Sequence, residues 1–166
     1  MNIILKQFKE AKESFDRQRA KEDGCIVMNR ITKIVNELGK DFTTFDGGEL
    51  EEYRIKLAGY KFHLSDYISD LYRISESLKM EMKNIKAKRW DQIAQDIKAI
   101  EGKVKNRDQI ENVLVLELKD LQNEQILYET MYYKYKLKLS AIDDIMSAIM
   151  QRVAQLKQQI DLSKLV

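Results

Sequence analysis

Residues 114–160 read LVLELKDLQNEQILYETMYYKYKLKLSAIDDIMSAIMQRVAQLKQQI, and the spacing of their apolar side chains decides the fold. With Leu118 as position a of a heptad, the a series is Leu118, Gln125, Tyr132, Leu139, Met146, Val153 and Ile160. The d series is Leu114, Leu121, Tyr128, Tyr135, Ile142, Ile149 and Leu156. Gln125 alone carries a fully polar side chain. A repeat sustained over this length predicts a long helix packed along a seam against another helix.

The mate of this helix lies upstream. Leu50, Leu57, Leu64, Leu71, Leu78 and Ile85 form a second a series, accompanied at d by Tyr53, Tyr60, Tyr67 and Ile74 before the pattern fails at Glu81. Asp46 and Glu49 have the spacing of a capping box, so a helix is expected from about residue 48 to about residue 100. Gly102 marks a turn, and Asn106, three residues before Gln109, offers a cap for the next helix. The fold expected is all-α: a long antiparallel, coiled-coil-like helical hairpin over 46–166 that assembles into oligomers. The first 45 residues read as two short helices used for packing or oligomerisation. They carry one apolar face on Ile3, Ile4, Phe8, Ala11 and Phe15 and another on Ile26, Val27, Ile31, Ile34, Val35 and Leu38. Asp23-Gly24 is a weak break between them, and Gly39 resembles a helix end.

Composition fits this architecture. Across 166 residues there is no proline to interrupt a helix, and 34% charged with 44% apolar residues suits amphipathic helices better than disorder. A single cysteine, Cys25, permits no internal disulfide and suits a reducing compartment. Met1 to Leu5 are too short for a signal-peptide core, and no run approaches the ~18 apolar residues of a membrane span. A cytoplasmic protein without membrane association is expected.

Enzymatic constellations are missing from the sequence. His63 is the only histidine, which excludes a two-histidine metal site, and Cys25 has no evident base. No glycine-rich phosphate loop is present. Asp143 and Asp144 would diverge by about 100° on a helix, against paired acid and base work. No catalytic residue, metal or cofactor is assigned.

Charge instead points to binding. Residues 79–107 hold nine basic against four acidic side chains, whereas the whole chain carries a net charge of only +2. Lysine and arginine neutralise phosphates, and an aromatic ring among them can stack on an unpaired base. Lys83, Lys86, Lys88, Arg89 and Trp90 are therefore the first candidates for nucleic-acid binding, with Lys103, Lys105 and Arg107 second. The competing reading is a solvated lysine-rich helix with Trp90 packed against a neighbour. Tyr128, Tyr132 and Tyr135 belong to the seam, but Tyr133 falls at position b, where it would present its ring outward beside Lys134 and Lys138.

Ile126, Leu127, Met131, Leu137, Ile145 and Met150 lie off the seam. Either they form an oligomer interface, for which Leu127, Met131, Leu137, Ile145 and Met150 are the candidates, or the N-terminal helices cover them. Gln125 would then fix register in such an assembly.

The layout resembles that of the UvsY-like recombination mediators of tailed bacteriophages. The likeness covers roughly residues 48–160. It rests on the Tyr- and Leu-rich helix from Tyr53-Arg54-Ile55-Lys56-Leu57 onward, the basic phrase Lys103-Val104-Lys105-Asn106-Arg107-Asp108, and Leu118-Lys119-Asp120-Leu121 early in the last helix. That helix ends in the Ile/Met-rich stretch Ile145-Met146-Ser147-Ala148-Ile149-Met150. The resemblance implies a homo-oligomer that binds single-stranded DNA and helps load a recombinase onto strands covered by single-stranded-DNA-binding protein, in the host cytoplasm if phage-encoded. The alternative is an adaptor coiled coil that binds another protein through its apolar faces and no nucleic acid.

Overall fold

The computed structural model describes residues 3–39, 42–102 and 107–164. It contains four helices: α1 (Ile3–Leu38), α2 (Gly47–Glu101), α3 (Arg107–Glu117) and α4 (Lys119–Ser163). No strand occurs among the described residues, so the protein is all-α. The chain folds into two compact units, one formed by Met1–Asp70 with Tyr133–Val166 and the other by Leu71–Tyr132.

Helix α2 starts where the capping box predicts. Asp46 Oδ1 accepts from the backbone N–H of Gly48 at 2.7 Å and of Glu49 at 2.8 Å, while Asp46 N–H donates to Glu49 Oε2 at 3.0 Å. Three otherwise orphaned amide donors are thereby satisfied. The helix ends at Gly102, whose φ of 75° lets its N–H donate to Lys98 O at 2.9 Å. Only glycine adopts that left-handed turn without a Cβ penalty. The proposed Asn106 cap of α3 lies outside the described residues.

In the first unit three helices share a core. Leu50, Leu57 and Leu64 of α2 are wholly buried, and Ile142 and Ile149 of α4 and Val27, Met28, Ile31, Ile34 and Leu38 of α1 are buried in the same unit. Complete burial of a leucine contributes about 2 kcal/mol. At the surface of this unit Lys61 Nζ meets Asp143 Oδ1 at 2.5 Å.

The N-terminal segment differs from the expectation of two short helices in its continuity. It is one helix of 36 residues, and it packs into the same unit as the start of α2 and the end of α4. Gly24 explains why the weak break does not materialise. A Cβ placed there would stand 2.7 Å from Tyr135 Cε2, so the missing side chain makes room for a buried ring. Tyr135 O–H donates to Cys25 Sγ at 3.4 Å, and burial raises its pKa above the ordinary tyrosine value, with the thiol contact adding to the shift. The helix-propensity cost of a mid-helix glycine, about 1 kcal/mol, is offset by that packing. Tyr53 O–H donates to Glu37 Oε2 at 3.2 Å, and Arg19 lies over the Tyr67 ring, so α1 runs antiparallel to α2. The side chains of Ile3, Ile4, Phe8, Ala11 and Phe15 are not among those described.

In the second unit the later part of α2 runs antiparallel to α3 and the start of α4. Tyr72 faces Tyr132 with ring centroids 5.5 Å apart, Ser75 faces Gln125, and Lys79 bonds Glu129. Between α3 and α4 the backbone bonds Leu118 N to Leu114 O and Gln122 N to Leu118 O continue the helical ladder, so α3 runs into the start of α4 with a break only at Leu118. Gln125, read from sequence as a register device between subunits, has its partners inside the chain. Its Nε2 donates to Ser75 Oγ at 3.3 Å and to Glu129 Oε2 at 2.8 Å, and both Gln125 and Ser75 are buried.

Candidate nucleic-acid interface

The heptad of α2 fails at Glu81, yet its inward face continues. After Leu78 the side chains turned at least partly inward are Met82, Ile85, Arg89, Trp90, Ile93, Ala94 and Ile97. From Ile85 the steps through Arg89 and Ile93 to Ile97 are four residues each, whereas the heptad positions Lys88 and Gln92 are exposed, so the seam shifts around the helix as in a stutter. Ile93 then forms a small core with Ile110 and Leu114 of the α3 region, with Trp90, Ala94, Ile97 and Val113 packed around it. The basic segment therefore continues the packed helix.

This phase shift sorts the candidate residues. At about 100° per residue, Lys83, Lys86 and Trp90 share one stripe of α2, whereas Lys88 projects about 140° away from Lys83. Lys83, Lys86 and Lys88 are solvent-exposed and, among the described residues, make no ion pair. Lys79 extends the stripe by one turn, but its Nζ is engaged by Glu76 at 3.0 Å and Glu129 at 3.1 Å. Arg89 is committed to the fold. Its guanidinium donates through Nη2 to Glu117 Oε1 at 2.6 Å and through Nε to Glu117 Oε2 at 3.2 Å, a forked pair that joins α2 to α3. Hydrogen bonding to Arg89 lowers the Glu117 pKa, just as bonds from Gln125 and Lys79 lower that of Glu129.

Trp90 meets both readings made from sequence. One side of it packs against the Ile93 cluster, and another lines an open groove of about 620 Å³. From α2 the groove is walled by Lys86, Ala87, Trp90 and Asp91, and from α3 by Arg107, Glu111, Leu114 and Val115. Arg107 Cζ sits 5.5 Å from the Trp90 ring centroid, with Nε donating to Glu111 Oε1 at 3.0 Å. The structure thus brings Lys83, Lys86, Trp90 and Arg107 to one face and leaves Arg89 and Lys88 off it. Lys103 and Lys105 lie outside the described residues. Ala87, Asp91 and Glu111 were not singled out from sequence, although Arg107, Glu111 and Val115 repeat every four residues and so share a face.

Among the off-seam residues of α4, Ile126, Leu127, Leu137 and Met150 are exposed, while Met131 and Ile145 are partly buried. Tyr133 is exposed, as its b position predicts. On α2, Ile55 and Phe62 are also exposed, Phe62 at 69%. His63 lies on the surface with its ring 5.8 Å from Phe62. Among the described residues no group of His, Cys, Asp and Glu is placed to hold a metal, and no helix is long and apolar enough to cross a membrane.

No family model, curated protein or solved structure matches the chain.

Proposed function

We propose that this chain is a non-enzymatic accessory protein that binds single-stranded DNA as a homo-oligomer and helps load a recombinase, in the cytoplasm. One observation carries the binding reading: the unpaired lysines Lys83 and Lys86 stand in line with Trp90, whose ring borders a groove large enough for a nucleobase. Phosphates would follow the lysine stripe while bases stack at the ring, the division of labour expected of single-strand binders. Two or three cations per chain give weak binding. Several copies gripping one strand would supply the rest by avidity. The exposed Leu127, Leu137 and Met150 offer apolar contact area for such an assembly, with Met131 and Ile145 beside them. The recombinase-loading role rests on the resemblance in helical layout to phage mediators.

The test is fluorescence anisotropy of a labelled single strand combined with light scattering of the protein alone. Binding that weakens steeply with salt, by an oligomeric species, supports the proposal. Absence of binding at low salt rejects it. The exposed apolar side chains also favour a second reading, an adaptor that binds another protein through them. That reading gains if a stoichiometric protein complex forms and no nucleic acid binds.

A further inference from the structure

The groove beside Trp90 is balanced in charge, with Lys86 and Arg107 set against Asp91 and Glu111. A phosphate gains little in such a cleft, because two carboxylates oppose it. A base is a better occupant, since Ala87, Trp90, Leu114 and Val115 supply apolar walls and the charged groups supply hydrogen-bonding partners of both kinds. We infer that the groove prefers guanine to thymine among unpaired bases. This inference rests on the single-stranded-DNA reading and adds base preference to it.

Guanine and the groove have complementary hydrogen-bonding edges. Carboxylates only accept hydrogen bonds, and guanidinium and ammonium groups only donate. Guanine carries adjacent donors at N1 and N2 on its pairing edge, which match one carboxylate, and adjacent acceptors at O6 and N7, which match Arg107 or Lys86. Thymine offers a single N–H flanked by two carbonyl oxygens, so each approach to Asp91 or Glu111 brings oxygen against oxygen. Arg107 is already held at the ring by its bond to Glu111, so an entering guanine finds donor and acceptor side by side next to the stacking surface.

Trp90 is the only tryptophan, so its emission reports occupancy of this groove. Three strands of equal length are titrated at one salt concentration: all thymine, thymine with isolated guanines, and thymine with isolated cytosines. The guanine-bearing strand is expected to bind at least about fivefold more tightly than the thymine strand. Glu111→Gln and Asp91→Asn should each lower that ratio towards one, the guanine-strand and thymine-strand affinities being compared within the same variant so that any change in overall affinity cancels. Circular dichroism confirms that the variants keep their helix content. Equal affinity for all three strands, or a guanine preference that survives both substitutions, overturns the inference and leaves single-strand binding standing. Failure to bind any strand overturns both.

Discussion

The guanidinium of Arg107 lies over the indole of Trp90, 5.5 Å from the ring centroid, and joins the start of α3 to the later part of α2. The ring also supports the Ile93, Ile110 and Leu114 cluster. The two residues therefore have different weights in stability. Trp90→Ala should cost about 2 kcal/mol, below the range for a fully buried tryptophan because one side of the ring is open. Arg107→Ala should cost little and should increase quenching of Trp90 emission by a neutral quencher. Urea denaturation and acrylamide quenching check these outcomes, and equal destabilisation by the two changes would contradict them.

Gln125 and Ser75 form a buried polar pair in a seam that is otherwise apolar. Ser75→Ala removes one bond, and Gln125→Leu leaves the serine hydroxyl without its side-chain partner, so each change should cost about 1 kcal/mol. Replacing both together should cost less than the sum, since no orphaned hydroxyl remains. A double-mutant cycle measured by denaturation reads the coupling directly. Additive losses would show that the pair is not coupled.

Two mid-helix glycines should respond oppositely to the same substitution. Nothing lies within 4 Å of a Cβ at Gly59, so Gly59→Ala should stabilise by about 1 kcal/mol through backbone entropy and helix propensity. At Gly24 the new methyl would meet Tyr135, a ring only 2% exposed that cannot swing into solvent cheaply. Gly24→Ala should therefore lower the melting temperature, the overpacking cost outweighing the propensity gain.

Acid should weaken the second unit in a defined window. Hydrogen bonds from Arg89 hold the Glu117 pKa below its ordinary value, and those from Gln125 and Lys79 do the same for Glu129. A carboxyl with a depressed folded pKa contributes stability that is complete above the unfolded value, about 4.3, and is lost as pH falls through the folded one. Stability from these two groups should be level between pH 7 and about pH 5 and decline below. Glu117→Gln should remove part of that decline, as followed by urea midpoints across pH.

The helical architecture was legible because a seven-residue period survives in the sequence wherever one helix faces another. The buried Leu50, Leu57, Leu64, Leu71 and Leu78 and the buried Tyr128, Tyr135, Ile142 and Ile149 occupy positions that the period assigns. Gly24 misled because local propensity makes a glycine a breaker, and only the distant Tyr135 ring shows that it is a packing site. The candidate interface was legible in composition and blurred in geometry. Charge counting cannot separate Lys83 and Lys86 from Lys88, which a stutter-shifted helix turns to another side. Nor can it foresee that Glu117, 28 residues downstream, occupies Arg89.

The central claim is that one face of the second unit, carrying Lys83, Lys86 and Trp90, grips single-stranded DNA. It is tested most directly by comparing salt-dependent affinity for a thymine oligonucleotide in two charge-reversed forms, Lys83→Glu with Lys86→Glu, and Lys88→Glu. The account predicts that the double reversal abolishes binding and that Lys88→Glu weakens it only modestly. It also predicts a slope of log affinity on log salt of about −1.4 per protomer in the unaltered protein, as two phosphate contacts through Lys83 and Lys86 would give. Equal loss in the two forms, or binding indifferent to both, would contradict it.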